Sequence, residues 1–427
     1  MGMLKTVAQA WKIAEIRSKM IFTLLMLVVF RIGSNIPVPN INRSVLADMF
    51  QGEAGLFDLF DLFSGGSFSN FTIFALSITP YITSSIIIQL LTAFPYFERL
   101  AKEGVEGRKK MAQITRYLTV VLALVQSIGL TVGLFRSAVI DKSAFSIVVI
   151  VLVLTAGTAF LMWLGEQINE KGIGNGISLI IFAGIVARIP SGVRSLAVSL
   201  QDGQLSVITL ILFAVAAIAV VIVVVLIQEG QRRIPVQYAK RVVGRKMYGG
   251  QSTHIPIKVN KSGVIPIIFA LSLLQFPLTI TYFFPGTAFT EWVTKWLSPA
   301  GNPGVWIYAI LNVILIIFFT YFYTAMTFNP AEVADNMKSN GGFIPGIRPG
   351  KATEEYLQKV MSRITIVGAI FLALIATLPT ILSVMVPSLQ GIHFGGTSLL
   401  IAVGVALDTV RQLENQMIMR NYQGFLK

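Results

Sequence analysis

Ten apolar runs, most of them about the length a helix needs to cross a bilayer, limit what this chain can fold into more than any other feature. They fall at about 20–38, 71–93, 113–135, 145–166, 176–190, 205–228, 263–284, 305–327, 361–383 and 397–415, each bounded by charged or turn-forming residues. Across 427 residues 54% are hydrophobic and 13% charged, more apolar surface than a water-soluble globule of this size could cover. The expected fold class is all-α: a polytopic membrane protein with ten transmembrane helices. The first run is too long for a signal-peptide core and no small-residue cleavage site trails it, so it reads as a retained anchor.

Charge sets the orientation. With the N-terminus in the cytosol, 27 of the 34 Lys+Arg fall on the cytosolic side, and only Arg31, Arg43, Arg136, Lys142, Arg188, Arg194 and Lys295 lie opposite or at span ends. That bias predicts cytosolic termini and an even number of spans. Residues 3–18, with Leu4, Val7 and Trp11 among Lys5, Lys12 and Arg17, read as a cationic amphipathic helix on the inner leaflet.

Much chemistry is excluded. The chain has no cysteine and two distant histidines, His254 and His393, which leaves no set for a metal cluster. GIGNG at 172–176 follows a membrane span rather than a strand, and GIRPGK at 346–351 has its glycines too close for a phosphate loop, with Ala352 where Ser or Thr would hold magnesium. The spans are nearly free of ionisable groups: Arg31 and Glu166 lie near span ends, and for Asp408 and Arg411, one turn apart, an i,i+3 pair is the simplest account. No enzyme and no cofactor are expected. The pattern fits a passive path driven by a partner.

The exceptions to the span pattern are informative. Residues 54–64, AGLFDLFDLFS, set Asp58 and Asp61 among Leu56, Phe57, Leu59, Phe60, Leu62 and Phe63, ahead of Gly65 and Gly66. Too short to cross, this stretch must lie at the interface or re-enter a protein-lined or watery cavity. Pro80 and Pro266 stand near the starts of the second and seventh runs, each the second span of a five-span half. Five is odd, so the halves would run oppositely, as in inverted repeats, with the working site between them; two ordinary proline kinks are the alternative. The organisation read from this is an N-terminal helix 1–19, a first half 20–190 including 54–66, and a second half 191–427. The 229–261 connection holds Arg232, Arg233, Lys240, Arg241, Arg245, Lys246, Lys258 and Lys261 against Glu229 alone, with Tyr238 and Tyr248 interleaved, a composition suited to phosphate-rich RNA.

Motifs along nearly the whole chain, RIGSNIPVP at 31–39, FSGG and ITPYI…SIIIQLL within 63–91, FLMWLGEQI…GIGNGIS…IFAGIVA within 160–187, QSTHIPIKVN at 251–260, FNPAEVADN at 328–336, FIPGIRPGK at 343–351 and FGGTSLLI at 394–401, resemble the SecY family. The resemblance implies a clamshell of two inverted-repeat halves around an hourglass pore, which passes unfolded secretory polypeptide across the cytoplasmic membrane and releases transmembrane segments sideways into lipid. By motif, Ile78, Ile82, Ile177, Ile181, Ile268 and Ile401 would form an aliphatic pore ring, and 56–64 the plug that closes its outer side. The second and seventh spans would be the faces of the lateral gate, with Thr83, Ser84, Ser85 and Gln89 on one and Pro266 on the other. The 229–261 and 328–363 loops would meet the ribosome and the SecA motor, with Arg348 needed for motor-driven transport and the small subunits SecE and SecG completing the complex. Pro235 departs from the family pattern and leaves the loop's tip open. A secondary transporter of small solutes is the rival reading, and an insertase or scaffold without a continuous pore a third.

Overall fold

The computed structural model of the chain describes residues 3–46, 61, 64–203, 206–238, 241–243, 246–248, 252–284, 286–299, 303–385 and 396–424. In chain order its helices are α1 (Met3–Lys12), α2 (Ala14–Gly33), α3 (Thr79–Leu91), α4 (Pro95–Lys102), α5 (Gly104–Ile128, extended by a π-helical Gly129–Leu134), α6 (Ala144–Lys171), α7 (Gly176–Gln201), α8 (Val207–Glu229), α9 (Ile265–Thr281), α10 (Ala288–Leu297), α11 (Gly304–Thr327), α12 (Pro330–Ser339), α13 (Lys351–Met385) and α14 (Gly396–Gly424). Ten of these, α2, α3, α5–α9, α11, α13 and α14, coincide with the ten apolar runs. By length and composition α5, α6, α7, α8, α11 and α13 are long and apolar enough to cross a membrane, while α3 and α9 are shorter apolar helices. Polar residues at the turns start several of them: the side chains of Ser143, Asn175 and Ser206 each accept from a backbone N–H three residues on, capping α6, α7 and α8.

Pro80 and Pro266, near the starts of their runs, begin helices, and the alternative of two proline kinks fails. Pro80 and Pro266 both sit in the first turn of their helices, where a missing N–H has no intrahelical acceptor to lose. Only the second part of the 71–93 run is therefore helical. Residues 71–78 instead run as turns, with left-handed Phe71 (φ 45°) and Ser77 (φ 53°). This irregular backbone is tolerable because it is sealed in protein: Phe71, Thr72, Phe74, Ala75 and Ile78 are all buried. Gly157 of α6 lets it approach, since a methyl there would overlap the carbonyl of Ile73.

Helices α2, α3, α5, α6 and α7 pack among themselves, as do α8, α9, α11, α13 and α14. The main contacts between the two sets are α3 against α9 and α7 against α14. α1 does not lie apart from the bundle: it packs on α14, where Ala10, Ile16, Ile173 and Leu413 form a small core and the Thr6 hydroxyl donates to Glu414 at 3.1 Å. α8, apolar on every side, leaves nearly all of its surface outward, buried only at Val224 and Gln228 among its residues.

The 229–261 connection is not a loop but β-structure, a local departure from the all-α pattern. Strands β1 (Gln231–Tyr238), β2 (Arg241–Val243), β3 (Lys246–Tyr248) and β4 (Ser252–Lys258) form antiparallel pairs, β1 with β4 and β2 with β3. A short strand β5 (Gly342–Phe343) from the 328–363 connection adds to β1 beside Gln237 and Tyr238. Pro235 pairs in register with His254 on β4 at a point β5 does not reach, so its missing N–H leaves no ladder bond unmade on that free edge. Ile234, Val236 and Ile257 turn inward onto Met337, Ile344, Leu357 and Met361, welding the sheet to α12 and α13.

Candidate functional site

The six isoleucines come from four helices, α3, α7, α9 and α14, and all belong to or pack against one large buried apolar cluster. Ile78 caps α3 and Ile82 lies one turn into it, with the Ile82 N–H donating to the Ile78 carbonyl at 3.0 Å. Ile177 and Ile181 share a face of α7, Ile268 follows Pro266 in α9, and Ile401 lies in α14. Ile78, Ile82, Ile181, Ile268 and Ile401 belong to one buried apolar cluster. Half-buried Ile177 packs against it and seats its Cδ1 over Gly165 of α6. No hydrogen-bonding group is contributed by these side chains, so a gap between them would favour vapour over water and ions.

Of the 56–64 stretch, Leu56, Phe57, Asp58, Leu59, Phe60, Leu62 and Phe63 lie outside the described residues. Asp61 and the turn after it are placed. Asp61 is 3% exposed; its Oδ1 accepts from the Ser64 hydroxyl at 2.8 Å and the Ser69 N–H at 3.2 Å. Arg31, at the end of α2, donates to the Gly65 carbonyl at 3.1 Å.

The polar edge of α3 is turned inward on itself. Thr83 and Ser84 are buried and donate to the carbonyls of Thr79 (3.0 Å) and Pro80 (2.8 Å) in their own helix, and Ser85 is half-buried. The Thr83 and Ser84 hydroxyls donate within α3 rather than across to α9. Gln89 is half-buried near the helix end. α3 lies directly against α9, where Pro266 is buried.

At the sheet-bearing end, Arg232 and Arg233 project from β1, exposed. Arg241 in β2 and Lys246 in β3 are placed by backbone register, opposite Tyr248 and Val243; Lys240 and Arg245 lie outside the described residues. Arg348 stands exposed between two left-handed glycines, Gly346 (φ 81°) and Gly350 (φ 97°), conformations that exclude most side chains. Buried Thr353 donates to the Arg348 carbonyl at 2.9 Å, fixing the turn's backbone to the start of α13. Because β5 pairs with β1, the 229–261 and 328–363 connections are joined through one sheet, a link that no local signal in either segment announces.

Asp408 and Arg411, one turn apart, attract each other, but the close partners of Arg411 lie on another helix. Arg411 Nη2 donates to the Gln228 carbonyl (2.7 Å) and Glu229 (2.8 Å), bridging α14 to the end of α8. Nearby, burial pushes the Lys258 ammonium below the usual lysine range, and Arg411 adds to this, against the pull of Asp408 and Glu229. Lys261 is lowered by burial too and sits 4.1 Å over the Phe328 ring. Glu166, read as a span-end charge, pairs with Arg116 at 2.7 Å. Among the described residues no group of three or more His, Asp or Glu could hold a metal.

A family model described as SecY matches residues 72–410. The protein translocase subunit SecY of Halalkalibacterium halodurans is 49% identical over 436 residues, covering 100% of both chains. A solved protein-conducting channel shares the fold with TM-score 0.68 at 22% identity, over 94% of this chain and 93% of that one. Sec61 in the canine ribosome-channel complex from the endoplasmic reticulum does so with TM-score 0.63 at 21% identity, over 94% and 93%.

Proposed function

The chain belongs to the SecY family and is a protein translocase channel subunit of a multi-pass membrane protein type, and from that premise we propose how its parts divide the work. Ile78, Ile82, Ile177, Ile181, Ile268 and Ile401 form the constriction through which unfolded secretory polypeptide slides. The observation that carries this reading is the convergence of isoleucines from α3, α7, α9 and α14, two helices from each set, on one buried cluster. An aliphatic collar excludes ions by dewetting yet offers a sliding chain no charge or hydrogen bond to stall on. Stretch 56–64 closes the collar on the side away from the sheet. α3 and α9 part to release apolar segments into lipid.

The sheet end faces the cytosol and the membrane is the cytoplasmic one. Arg232, Arg233 and the other 229–261 basics dock phosphate-rich ribosomal RNA, Arg348 engages the SecA motor, and SecE and SecG accompany the channel. The chain itself catalyses no reaction; the motor or the translating ribosome supplies the energy. A small-solute transporter would need ionisable groups at the midplane, and the collar proposed for this chain puts isoleucine there.

The test is cross-linking of a stalled secretory chain to probes at positions 78, 82, 177, 181, 268 and 401. Adducts at several of them are expected, and none at any of them would end the pore assignment.

A further inference from the structure

We propose that Arg188 and Asp61 form a latch that holds the end of the 54–66 stretch against α7 and sets how often the resting channel opens. The proposal rests on reading that stretch as the plug.

Residues 177, 181, 184 and 188 follow one another at helical spacings of four, three and four, so they make a single stripe along α7. The first two are the collar isoleucines. The third, buried Gly184, receives Gly65: a Cβ on Gly65 would overlap the Cα of Gly184, and Gly65 is itself left-handed at φ 63°. The fourth, Arg188, brings Nη2 to 3.4 Å from Asp61 Oδ2, with side-chain exposures of 20% and 5%. The stripe thus reads collar, seat and latch in order along one helix.

The carboxylate is aimed before it is paired. Ser64 and the Ser69 N–H occupy Oδ1, leaving Oδ2 to face α7. Arg31 grips the same turn from α2 through the Gly65 carbonyl. Arg188 Nη1 is buried without a hydrogen-bond partner, and Asp61 is the one counter-ion on this guanidinium, among the described residues. A desolvated cation depends strongly on a lone partner, and removing either member of such a pair costs more than the pair is worth. Dislodging the plug must break this contact while re-wetting both groups, which makes the pair a natural setter of the closed population.

The test uses resting ion conductance of the purified channel complex in lipid bilayers. Asp61→Asn and Arg188→Gln should each raise it about tenfold, as expected for losing one partner of a mostly buried ion pair. The double variant should leak no more than either single one, because the two residues act through one contact. Melting temperatures near that of the unaltered complex identify variants that have folded. Unchanged conductance in both single variants, or increases that multiply in the double one, would overturn the latch. Deleting 56–64 in the same assay separates the two ideas. A channel still shut after deletion overturns plug and latch together; one that opens on deletion but stays shut in both point variants overturns the latch alone.

Discussion

Arg411 on α14 reaches across to Glu229 at the end of α8, 2.8 Å away, and takes the Gln228 carbonyl at 2.7 Å as well, so the last span is tied to the root of the basic sheet. The pair is partly exposed, which limits its worth. Arg411→Met should lower stability by about 1 kcal/mol, mostly through the carbonyl left without its donor. Thermal unfolding of the purified protein in detergent measures this; a variant as stable as the parent would remove the tie.

Replacing collar isoleucines with serine, for example Ile82→Ser with Ile181→Ser, puts hydroxyls where the constriction needs surfaces that water does not wet. Resting ion conductance in planar bilayers should rise several-fold. Conductance at the level of the parent would count against the gasket.

Arg348 projects from a turn whose backbone is fixed independently of its side chain, by Gly346, Gly350 and the Thr353 bond. Arg348→Glu should therefore leave assembly and melting temperature unchanged while abolishing motor-driven export in reconstituted vesicles. Normal export would refute the docking role.

Neutralising Arg232 and Arg233 to Gln should make ribosome binding less sensitive to salt, the slope of log affinity against log salt falling by up to about 0.7 to 0.9 per lost phosphate contact. Binding isotherms across a salt series decide it; an unaltered slope removes the RNA contact.

Lys258 carries a pKa lowered mainly by burial. The unfolded chain then holds a proton at this site that the folded one has shed, between the lowered folded value and the ordinary 10.5. Stability contributed here is reduced below that window and recovered as pH rises through it. Lys258→Met should be at least as stable as the parent at neutral pH and should lose that rise. A larger alkaline gain in the variant, read from urea or thermal unfolding, would contradict the sign.

The spans were legible because an apolar run of about 20 residues has few outcomes in lipid, and Ile78/Ile82 and Ile177/Ile181 declared shared faces by spacing alone. The sheet was not legible, since QRRIPVQY offers only Ile234 and Val236 as an inward pair amid charge. Its junction to β5 joins Gln237 to Phe343 across a separation no local pattern spans. The helix-starting role of Pro80 depended on residues 71–78 being walled in by Gly157 and its neighbours, a tertiary fact. Arg188 was visible as a cation at the end of an apolar run, but its partner Asp61 is distant in sequence, so only the fold could join them.

The strand pairing of β1 with β5 has a mechanical meaning. β1 leaves α8, β4 leads into α9 after a short link, and β5 leads through the Arg348 turn into α13. A tug delivered to either connection is shared as tension by three helices at once, and one of them, α9, packs directly against α3 of the other set. If a motor grips the sheet end and α3 and α9 part as proposed, the two events are geared to a single lever.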